Sequence, residues 1–251
     1  MINNQHSWDG TKGEQSMAKR KTRFTEATLW PDKGWQDPWD MLDEIEAQQD
    51  YLNDYRWPYT FRGTTSLLGS QWDQRVRFDG RVYKVNDSFL AGPFPGDLDR
   101  AQQTENLTWL LDQGVTRIIS LMERGERDWR MRPIREYNRE AKALGAKRGI
   151  KVACDRFAIR DLTAPTVKQT VKVLDRIDRS MADGETVYVH CLGGYGRTGA
   201  VVGCWIARHG LGQGINALDY LDYIRRDEVT KCVSPQTQPQ IARVIGWKKG
   251  K

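Results

Sequence analysis

The sequence predicts an α/β fold in which a mostly parallel central sheet is flanked by helices, and three observations support this class. From about residue 81 onward, short segments rich in β-branched and aromatic residues alternate with longer segments in which apolar residues recur every three or four positions. Prolines and glycines fall at the boundaries between these segments. Strands that are separated by crossover helices pair in parallel, and the helices then cover the faces of the sheet.

The first half of this region predicts three strands and one helix. Residues 82–85 and 89–91 have the composition of strands. A helix is expected over 99–113, because Gly114 follows it as a stop signal. Residues 115–121 are apolar and β-branched, and we expect them to form the next strand.

The second half continues the alternation. A proline opens each of two predicted helices, one over 133–147 and one that begins at residue 165. Strands are expected over 150–159 and 186–189, and an apolar helix begins near residue 197. Ligands in sheets of this kind bind at the carboxyl ends of the strands, so the residues that follow 189 are the first place to look for a site.

The region before the predicted sheet has a different texture. Residues 1–24 are polar and aperiodic, and we expect a flexible tail. Residues 25–80 predict a Trp-rich N-terminal extension that is interrupted by prolines and anchored on a neighbouring surface, where it either completes the core or covers the site. Five of the ten tryptophans lie there: Trp30, Trp35, Trp39, Trp57 and Trp72.

Composition excludes several classes of protein. The chain has 251 residues, of which 39% are hydrophobic and 29% charged, so collagen-like, low-complexity and wholly disordered proteins are excluded. No apolar run approaches the roughly 20 residues that span a bilayer, and the N-terminal residues lack the pattern of a secretory signal. The four cysteines fit free thiols in a reducing compartment better than a disulfide framework. We therefore expect a soluble, cytoplasmic protein with no membrane span.

The net charge of +6 is unevenly distributed. Thirteen Lys or Arg and only six Asp or Glu lie between Arg117 and Arg160. This excess has two readings, a solvated basic face or a basic mouth around an anion site, and a motif has to decide between them.

The segment that follows the last predicted strand, residues 190–199, carries such a motif. A tight glycine-containing loop at a helix N-terminus directs several backbone N–H groups into one concavity, which favours a dianion. Arg197 can fork its guanidinium onto two phosphate oxygens. Cys191 lies at the base of the loop, where the helix dipole and the cation stabilise a thiolate. The residues expected to bind the phosphate are Leu192, Gly193, Gly194, Tyr195, Gly196 and Arg197.

The pattern His-Cys-x5-Arg-Thr-Gly over 190–199 resembles the signature loop of the cysteine-dependent protein tyrosine phosphatases. The similarity extends from about residue 89 to about residue 247 and is closest to the small atypical dual-specificity phosphatases. Residues 118–125 resemble the strand and loop that precede the family's acid loop. The resemblance implies a tyrosine-phosphatase-like fold and a phosphatase domain over 81–251.

The resemblance also implies a reaction and its principal groups. Cys191 would attack phosphorus to form a phosphocysteine intermediate, Arg197 would bind the phosphate, and no metal or cofactor would be required. Asp161, four residues before a proline, matches the acid that protonates the leaving group. Asp155 is the competing candidate, but its position inside a predicted strand makes it less able to move.

Three further residues receive supporting roles from the resemblance. Thr198 would donate a hydrogen bond to the Cys191 sulfur and help it to leave. His190 is expected to orient the loop through a hydrogen bond to backbone rather than to act as a base. Gln236 lies in a segment that resembles the loop that positions water, although a polar cap before a last helix explains the same residues.

The substrate stays open at this point. Phosphotyrosine in proteins is the expected substrate, with phosphoserine and phosphothreonine as possible additions. A non-protein phosphate, such as a phosphoinositide or an RNA 5′-triphosphate, is the alternative, and a phosphate-binding pseudoenzyme is an alternative of another class. Cys154 or Cys204 could form a protective disulfide with Cys191, although buried structural cysteines are commoner.

Overall fold

A five-stranded sheet organises the chain in a computed structural model that describes residues 77–128, 131–227 and 233–251. The strand order is β1-β2-β5-β3-β4, in which β1 is antiparallel to β2 and all other neighbours are parallel. The predicted fold class is therefore confirmed. The expected tail over 1–24 and nearly all of the Trp-rich extension over 25–80 lie outside the described residues. The strands are β1 (Tyr83–Asn86), β2 (Phe89–Gly92), β3 (Val115–Ser120), β4 (Ala153–Arg156) and β5 (Thr186–His190).

Six α-helices flank the sheet within the described ranges. Each of the first three helices connects one strand to the next along the chain, from β2 to β5. The last three helices follow β5 and pack against one another. The helices are α1 (Arg100–Asp112), α2 (Asn138–Lys147), α3 (Val167–Ala182), α4 (Gly196–Arg208), α5 (Ile215–Ile224) and α6 (Gln238–Gly246).

The core divides into two apolar clusters because successive side chains of a strand point to opposite faces. Val187 and Val189 of β5 belong to the cluster that packs against α3, α4, α5 and α6. Tyr188, which lies between them, belongs to the cluster that packs against α1 and α2. All three side chains are fully buried, so β5 is covered on both faces and its end is held rigidly.

Side-chain caps set where two of the predicted helices begin. The Asp99 side chain accepts a hydrogen bond from the Ala101 amide, 2.9 Å away, and this starts α1. Thr166 and Gln169 form a reciprocal capping box at the start of α3. The residues predicted for these two helices are confirmed to within two positions.

The start that was predicted for α2 is wrong by five residues. Pro133 forms an isolated antiparallel bridge with Arg127 instead of opening the helix, and α2 begins at Asn138. A tertiary pairing therefore overrides the preference of proline for a first helical turn.

The strand that was predicted over 150–159 is also shorter than expected, since β4 covers Ala153–Arg156. The backbone beyond it still follows β3, because the Phe157 amide donates to the Ser120 carbonyl at 2.9 Å and the Ile159 amide donates to the Leu121 carbonyl at 3.0 Å. These bonds extend the pairing with β3 beyond the last residue of β4. In the described part of the chain, no helix is long and apolar enough to cross a membrane.

Candidate active site

The loop that joins β5 to α4 lies at the carboxyl end of a central strand. β5 ends at His190 and α4 begins at Gly196, so the intervening residues form a short loop with Cys191 at its base. The Cys191 side chain is only 4% exposed, and its Sγ accepts a hydrogen bond from the Gly194 amide at 3.3 Å. The loop therefore turns the Gly194 N–H toward the thiol, as expected for an anion cradle.

Gly194 is required by a close backbone approach. Its φ is +83°, and a Cβ there would lie 2.5 Å from the Gly92 carbonyl carbon and 2.6 Å from the Pro93 nitrogen. The Phe94 amide donates to the Leu192 carbonyl at 3.0 Å and fixes the same contact. The end of β2 thus supports the loop from below, and no side chain fits between them.

Arg197 lies in the first turn of α4 and is 1% exposed. Its guanidinium makes a two-pronged pair with Glu126, with Nη1 2.5 Å from Oε1 and Nη2 3.0 Å from Oε2. Nη1 also donates to the Ile159 carbonyl at 3.0 Å, and Nη2 lies 2.9 Å from Oδ1 of Asp161. One buried cation therefore joins α4 to the loops that follow β3 and β4.

The charge of Arg197 is secured by its surroundings. Burial by itself would lower the pKa of Arg197, but the charge of Cys191 and the hydrogen bond to Glu126 outweigh burial and raise the pKa above its usual value. Nε of Arg197 is buried and has no hydrogen-bond partner among the described residues. A buried donor without a partner is costly, and an anion that accepts from it removes that cost.

Asp161 and Asp155, the two carboxylates considered from sequence, occupy different surroundings. Asp161 is 60% exposed and faces Arg197 from the loop after β4. Asp155 lies within β4 and pairs with Arg117 at 2.6 Å and with Arg176 at 3.1 Å. The structure therefore brings Asp161, and not Asp155, to the guanidinium that follows the cysteine loop.

His190 is fully buried and has a defined tautomer. Its Nδ1 lies 3.0 Å from the Cys191 carbonyl oxygen, which can only accept, so Nδ1 carries the proton. Nε2 then accepts from the Tyr137 hydroxyl at 2.6 Å. Burial lowers the pKa of His190 to about 3 and raises the pKa of Tyr137 well above its usual value, so both groups are neutral at ordinary pH.

Thr198 does not make the bond that was expected from sequence. Its Oγ1 is buried and has no hydrogen-bond partner in the described structure. The hydrogen bond that Sγ of Cys191 accepts comes instead from the Gly194 amide. The Thr198 hydroxyl thus lies close to the loop without a partner in the described part of the chain, and its role at the sulfur stays a prediction.

Gln236 is half-buried beside the cysteine loop. A Cβ at Gly196 would lie 2.9 Å from Oε1 of Gln236 and 3.0 Å from Oε1 of Gln240. Both amides therefore lie against the start of α4. Gln240 is the more buried of the two, at 1% exposure, and it was not singled out from sequence.

Glu126 and Tyr137 were also missed, although each touches a residue of the loop. Glu126 lies in the irregular loop after β3, where the sequence has no periodicity to show which side chains point inward. Tyr137 directly precedes α2, in a stretch that was predicted as helix, and its contact with His190 was not expected. The clearest feature of the segment between β3 and α2 in the sequence is its excess of basic residues, which does not indicate a functional glutamate. Only the fold reveals that Glu126 faces a buried cation.

The other two cysteines that the structure describes are separated from Cys191. Cys154, Cys191 and Cys204 are all free thiols. Cys204 lies eight residues into α4, roughly 12 Å along the helix from its start, and Cys154 packs against the cluster on the other face of the sheet. Burial raises the pKa of Cys154 to about 11 and that of Cys204 further, so neither is a reactive thiolate. The fold gives no support to a protective disulfide.

Comparison with known proteins agrees with this site. Residues 96–211 match the family described as the DSP-PTPase phosphatase of polymorphic toxin systems. This match includes the cysteine loop and the start of the helix that follows it, so it indicates a phosphatase domain. The matched residues therefore carry a domain that is similar to the cysteine-dependent phosphatases, in agreement with the signature loop.

Individual relatives are distant. The solved structure of Tk-PTP in its active form is 23% identical, covering 66% of this chain and 96% of that chain, with a TM-score of 0.46. PTPMT1 in complex with PI(5)P is 20% identical, covering 66% and 94%, also with a TM-score of 0.46. An uncharacterized protein of Methanocaldococcus jannaschii is 38% identical over 53 residues, which is 21% of this chain. The chain spans 36% of the length of that curated relative.

Replacement of Glu126 tests the buried ion pair. Glu126→Gln should lower the free energy of unfolding by about 2–3 kcal/mol, because it leaves the buried guanidinium with Asp161 as its main anion. Urea denaturation at neutral pH measures this loss. Glu123→Gln, an exposed neighbour in the same loop, should change stability by less than about 0.5 kcal/mol. Equal, small effects of both substitutions would contradict the assignment.

The buried neutral His190 predicts how stability depends on pH. Between pH 6.5 and about 3 the unfolded chain binds a proton at this residue and the folded protein does not. Stability should therefore fall as the pH is lowered through this range, with His190 contributing up to about 1.4 kcal/mol per pH unit. His190→Asn should flatten the unfolding free energy against pH, whereas His209→Asn serves as the control. Parallel profiles for His190→Asn and wild type would refute the prediction.

Proposed function

We propose that the protein is a metal-independent phosphomonoester hydrolase that acts on phosphotyrosine in proteins through a phosphocysteine intermediate, with phosphoserine and phosphothreonine as further substrates. Residues 81–251 would form its phosphatase domain. One observation carries the proposal: a buried thiol that accepts a loop N–H lies beside a buried guanidinium whose Nε lacks a partner. The match to a phosphatase family supports the same reaction class.

Phosphate binding would use the donors that the described structure leaves unmatched. A phosphate dianion in the cradle would accept from the backbone N–H groups of residues 192–196 and from Nε of Arg197. The two-pronged pair with Glu126 would hold the guanidinium plane while Nε faces the phosphate, and Nη2 would exchange its contact with Asp161 for a phosphate oxygen. The α4 dipole adds to the attraction, because the cradle lies at the N-terminus of that helix.

Phosphoryl transfer would then pass through sulfur. The Cys191 thiolate forms an S–P bond as the bond from phosphorus to the leaving oxygen breaks, and the leaving oxygen takes the electron pair. Asp161 donates a proton to that oxygen, since its carboxyl lies on the exposed side of Arg197. In the second step Asp161 accepts a proton from water as water attacks phosphorus, and the thiolate leaves.

Three further side chains would position the cysteine and the attacking water or stabilise the sulfur. The His190 Nδ1–H holds the Cys191 carbonyl and so fixes the backbone at the nucleophile. Gln236 lies beside Gly196, where its amide would orient the attacking water. The buried hydroxyl of Thr198 would donate to the sulfur as negative charge returns to it in the second step.

The direct test of the proposal is hydrolysis of p-nitrophenyl phosphate in the presence of EDTA. Wild type should turn over, and Cys191→Ser should lose turnover while it retains affinity for phosphate, because the hydroxyl is a far weaker nucleophile at neutral pH. Release of nitrophenolate measures turnover, and inhibition by inorganic phosphate or direct titration measures affinity. Turnover by Cys191→Ser at the wild-type rate would contradict the proposed mechanism.

A second candidate substrate, a non-protein phosphate with additional anionic groups, is favoured by one observation. Arg124 and Arg160 are exposed, and neither guanidinium group has a hydrogen bond or ion pair within the described ranges. Arg160 lies between Ile159 and Asp161, which both contact Arg197, and Arg124 lies in the turn that carries Glu126. Both arginines therefore belong to the loops that contact Arg197, and we propose that a second phosphate group would meet them there.

Substitution of these arginines separates the two substrate classes. Arg160→Ala should lower kcat/KM for an inositol phosphate with several phosphate groups by about ten-fold, the cost of one charge-assisted hydrogen bond, and should leave hydrolysis of a tyrosine-phosphorylated peptide nearly unchanged. Lys172→Ala, an exposed cation on α3, is the matched control. If Arg160→Ala affects both substrates equally, the arginines do not select polyanions.

A further inference from the structure

The start of α6 is hydrogen-bonded to the loop that carries Asp161. Oγ1 of Thr237 donates to the Leu162 carbonyl at 3.1 Å, and Nε2 of Gln240 donates to the Thr163 carbonyl at 3.1 Å. These carbonyls belong to the two residues that directly follow Asp161. The position of the carboxylate is therefore tied to a helix 75 residues or more away in the sequence.

Gln240 joins three segments of the site. Its Oε1 accepts from the Gln236 and Thr237 amides, each at 3.2 Å, and its Nε2 reaches the Asp161 loop. The same side chain packs against Gly196, where a Cβ would come within 3.0 Å of it. With 1% exposure, the Gln240 amide is a buried polar group whose two ends are both used.

Leu162 shows that contacts hold the Asp161 loop in an unfavourable conformation. One support is the loop's own turn, in which the Thr163 amide and hydroxyl both donate to the Arg160 carbonyl. The φ of Leu162, +64°, lies in the left-handed region, which a residue with a branched side chain enters only when surrounding contacts hold it. Its side chain is 62% exposed, so packing of the leucine itself does not supply those contacts. The hydrogen bonds from Thr237 and Gln240 fall on this residue and on the next one.

We propose that Gln240, assisted by Thr237, is a positioning residue that fixes the Asp161 loop for proton transfer to the leaving group. This proposal rests on the proposed function, because it assigns a purpose to the geometry of Asp161. Gln240 acts through the loop backbone and does not touch the reacting atoms. Its loss affects the step that needs the acid and leaves binding of the phosphate in the cysteine loop intact.

The alternative is a purely structural role, in which Gln240 only caps the N-terminus of α6. Gln240 is the third residue of that helix, and its Oε1 accepts from the amide of the N-cap Thr237. Gln240→Glu retains this acceptor, because glutamate serves a capping box as well as glutamine. It replaces the Nε2 donor with an oxygen that repels the Thr163 carbonyl. Thr237→Val removes the second bond, and Thr237→Ser restores the hydroxyl.

The test compares two phosphates that differ in their need for an acid. The comparison uses kcat/KM, which reports formation of the phosphocysteine and not the second step, in which Asp161 acts as a base for either substrate. With p-nitrophenyl phosphate, whose leaving group is stable as an anion, Gln240→Glu should keep kcat/KM within about two-fold of wild type. With an alkyl phosphate, whose leaving group must be protonated, kcat/KM should fall by about ten-fold, part of the 10²–10⁴ that a positioned acid contributes. Thr237→Val should show the same selective loss, Thr237→Ser should not, and inhibition by inorganic phosphate should be unchanged in all three.

The possible outcomes distinguish failure of the positioning role of Gln240 from failure of the proposed function. Equal losses on both phosphates, or wild-type activity of folded Gln240→Glu on the alkyl phosphate, overturn the positioning role alone. Wild type that hydrolyses neither phosphate overturns the proposed function and this role with it. If Gln240→Glu does not fold, the pair Thr237→Val and Thr237→Ser decides, because equal alkyl phosphatase activity of these two variants overturns the role.

Discussion

The guanidinium of Arg197 is the feature on which the rest of the site depends. A charge that is 1% exposed is tolerated only when anions and hydrogen-bond acceptors surround it. Glu126, Asp161 and the Ile159 carbonyl meet this requirement, and they come from two loops on different strands. Burial of one cation therefore holds together the three segments that the proposed chemistry needs, and the loops cannot move independently of α4.

A second constraint acts on the other side of the cysteine loop. Because residues of β5 alternate between the two faces, His190 lies on the face of Tyr188 while Cys191 packs with the cluster around α4. The His190 ring bridges the Tyr137 hydroxyl and the Cys191 carbonyl, so the backbone at the thiol is tied to the segment before α2. Cys191 is thus held in place through its main chain as well as through the hydrogen bond to its sulfur.

Much of this arrangement could be predicted from the sequence because it is local. The strand, the glycine-containing loop and the helix around Cys191 are contiguous, and their residue types determine the turn and the anion cradle. The choice of Asp161 over Asp155 depended on where one strand would end, and β4 does end before Asp161. Helix α5 was not predicted, since the glycines at 210, 212 and 214 that precede it suggest an extended loop.

What could not be predicted is long-range. Glu126 lies 71 residues from Arg197, and Gln240 lies 77 residues from Thr163, so no spacing or periodicity links either pair. The sequence drew attention to Gln236, whereas the structure gives the buried contacts with the Asp161 loop to Gln240, one helical turn further along. The helix start at Pro133 was predicted wrongly for the same reason, because the bridge from Pro133 to Arg127 exists only in the folded chain.

The central claim is that catalysis passes through sulfur at Cys191, and rapid quenching followed by mass spectrometry tests it most directly. During turnover of an aryl phosphate, acid-quenched wild type should carry one additional phosphoryl group, which peptide mapping should place on Cys191. The adduct should be absent from Cys191→Ser. An active enzyme that shows no adduct at any quench time, or an adduct on another residue, would contradict the account.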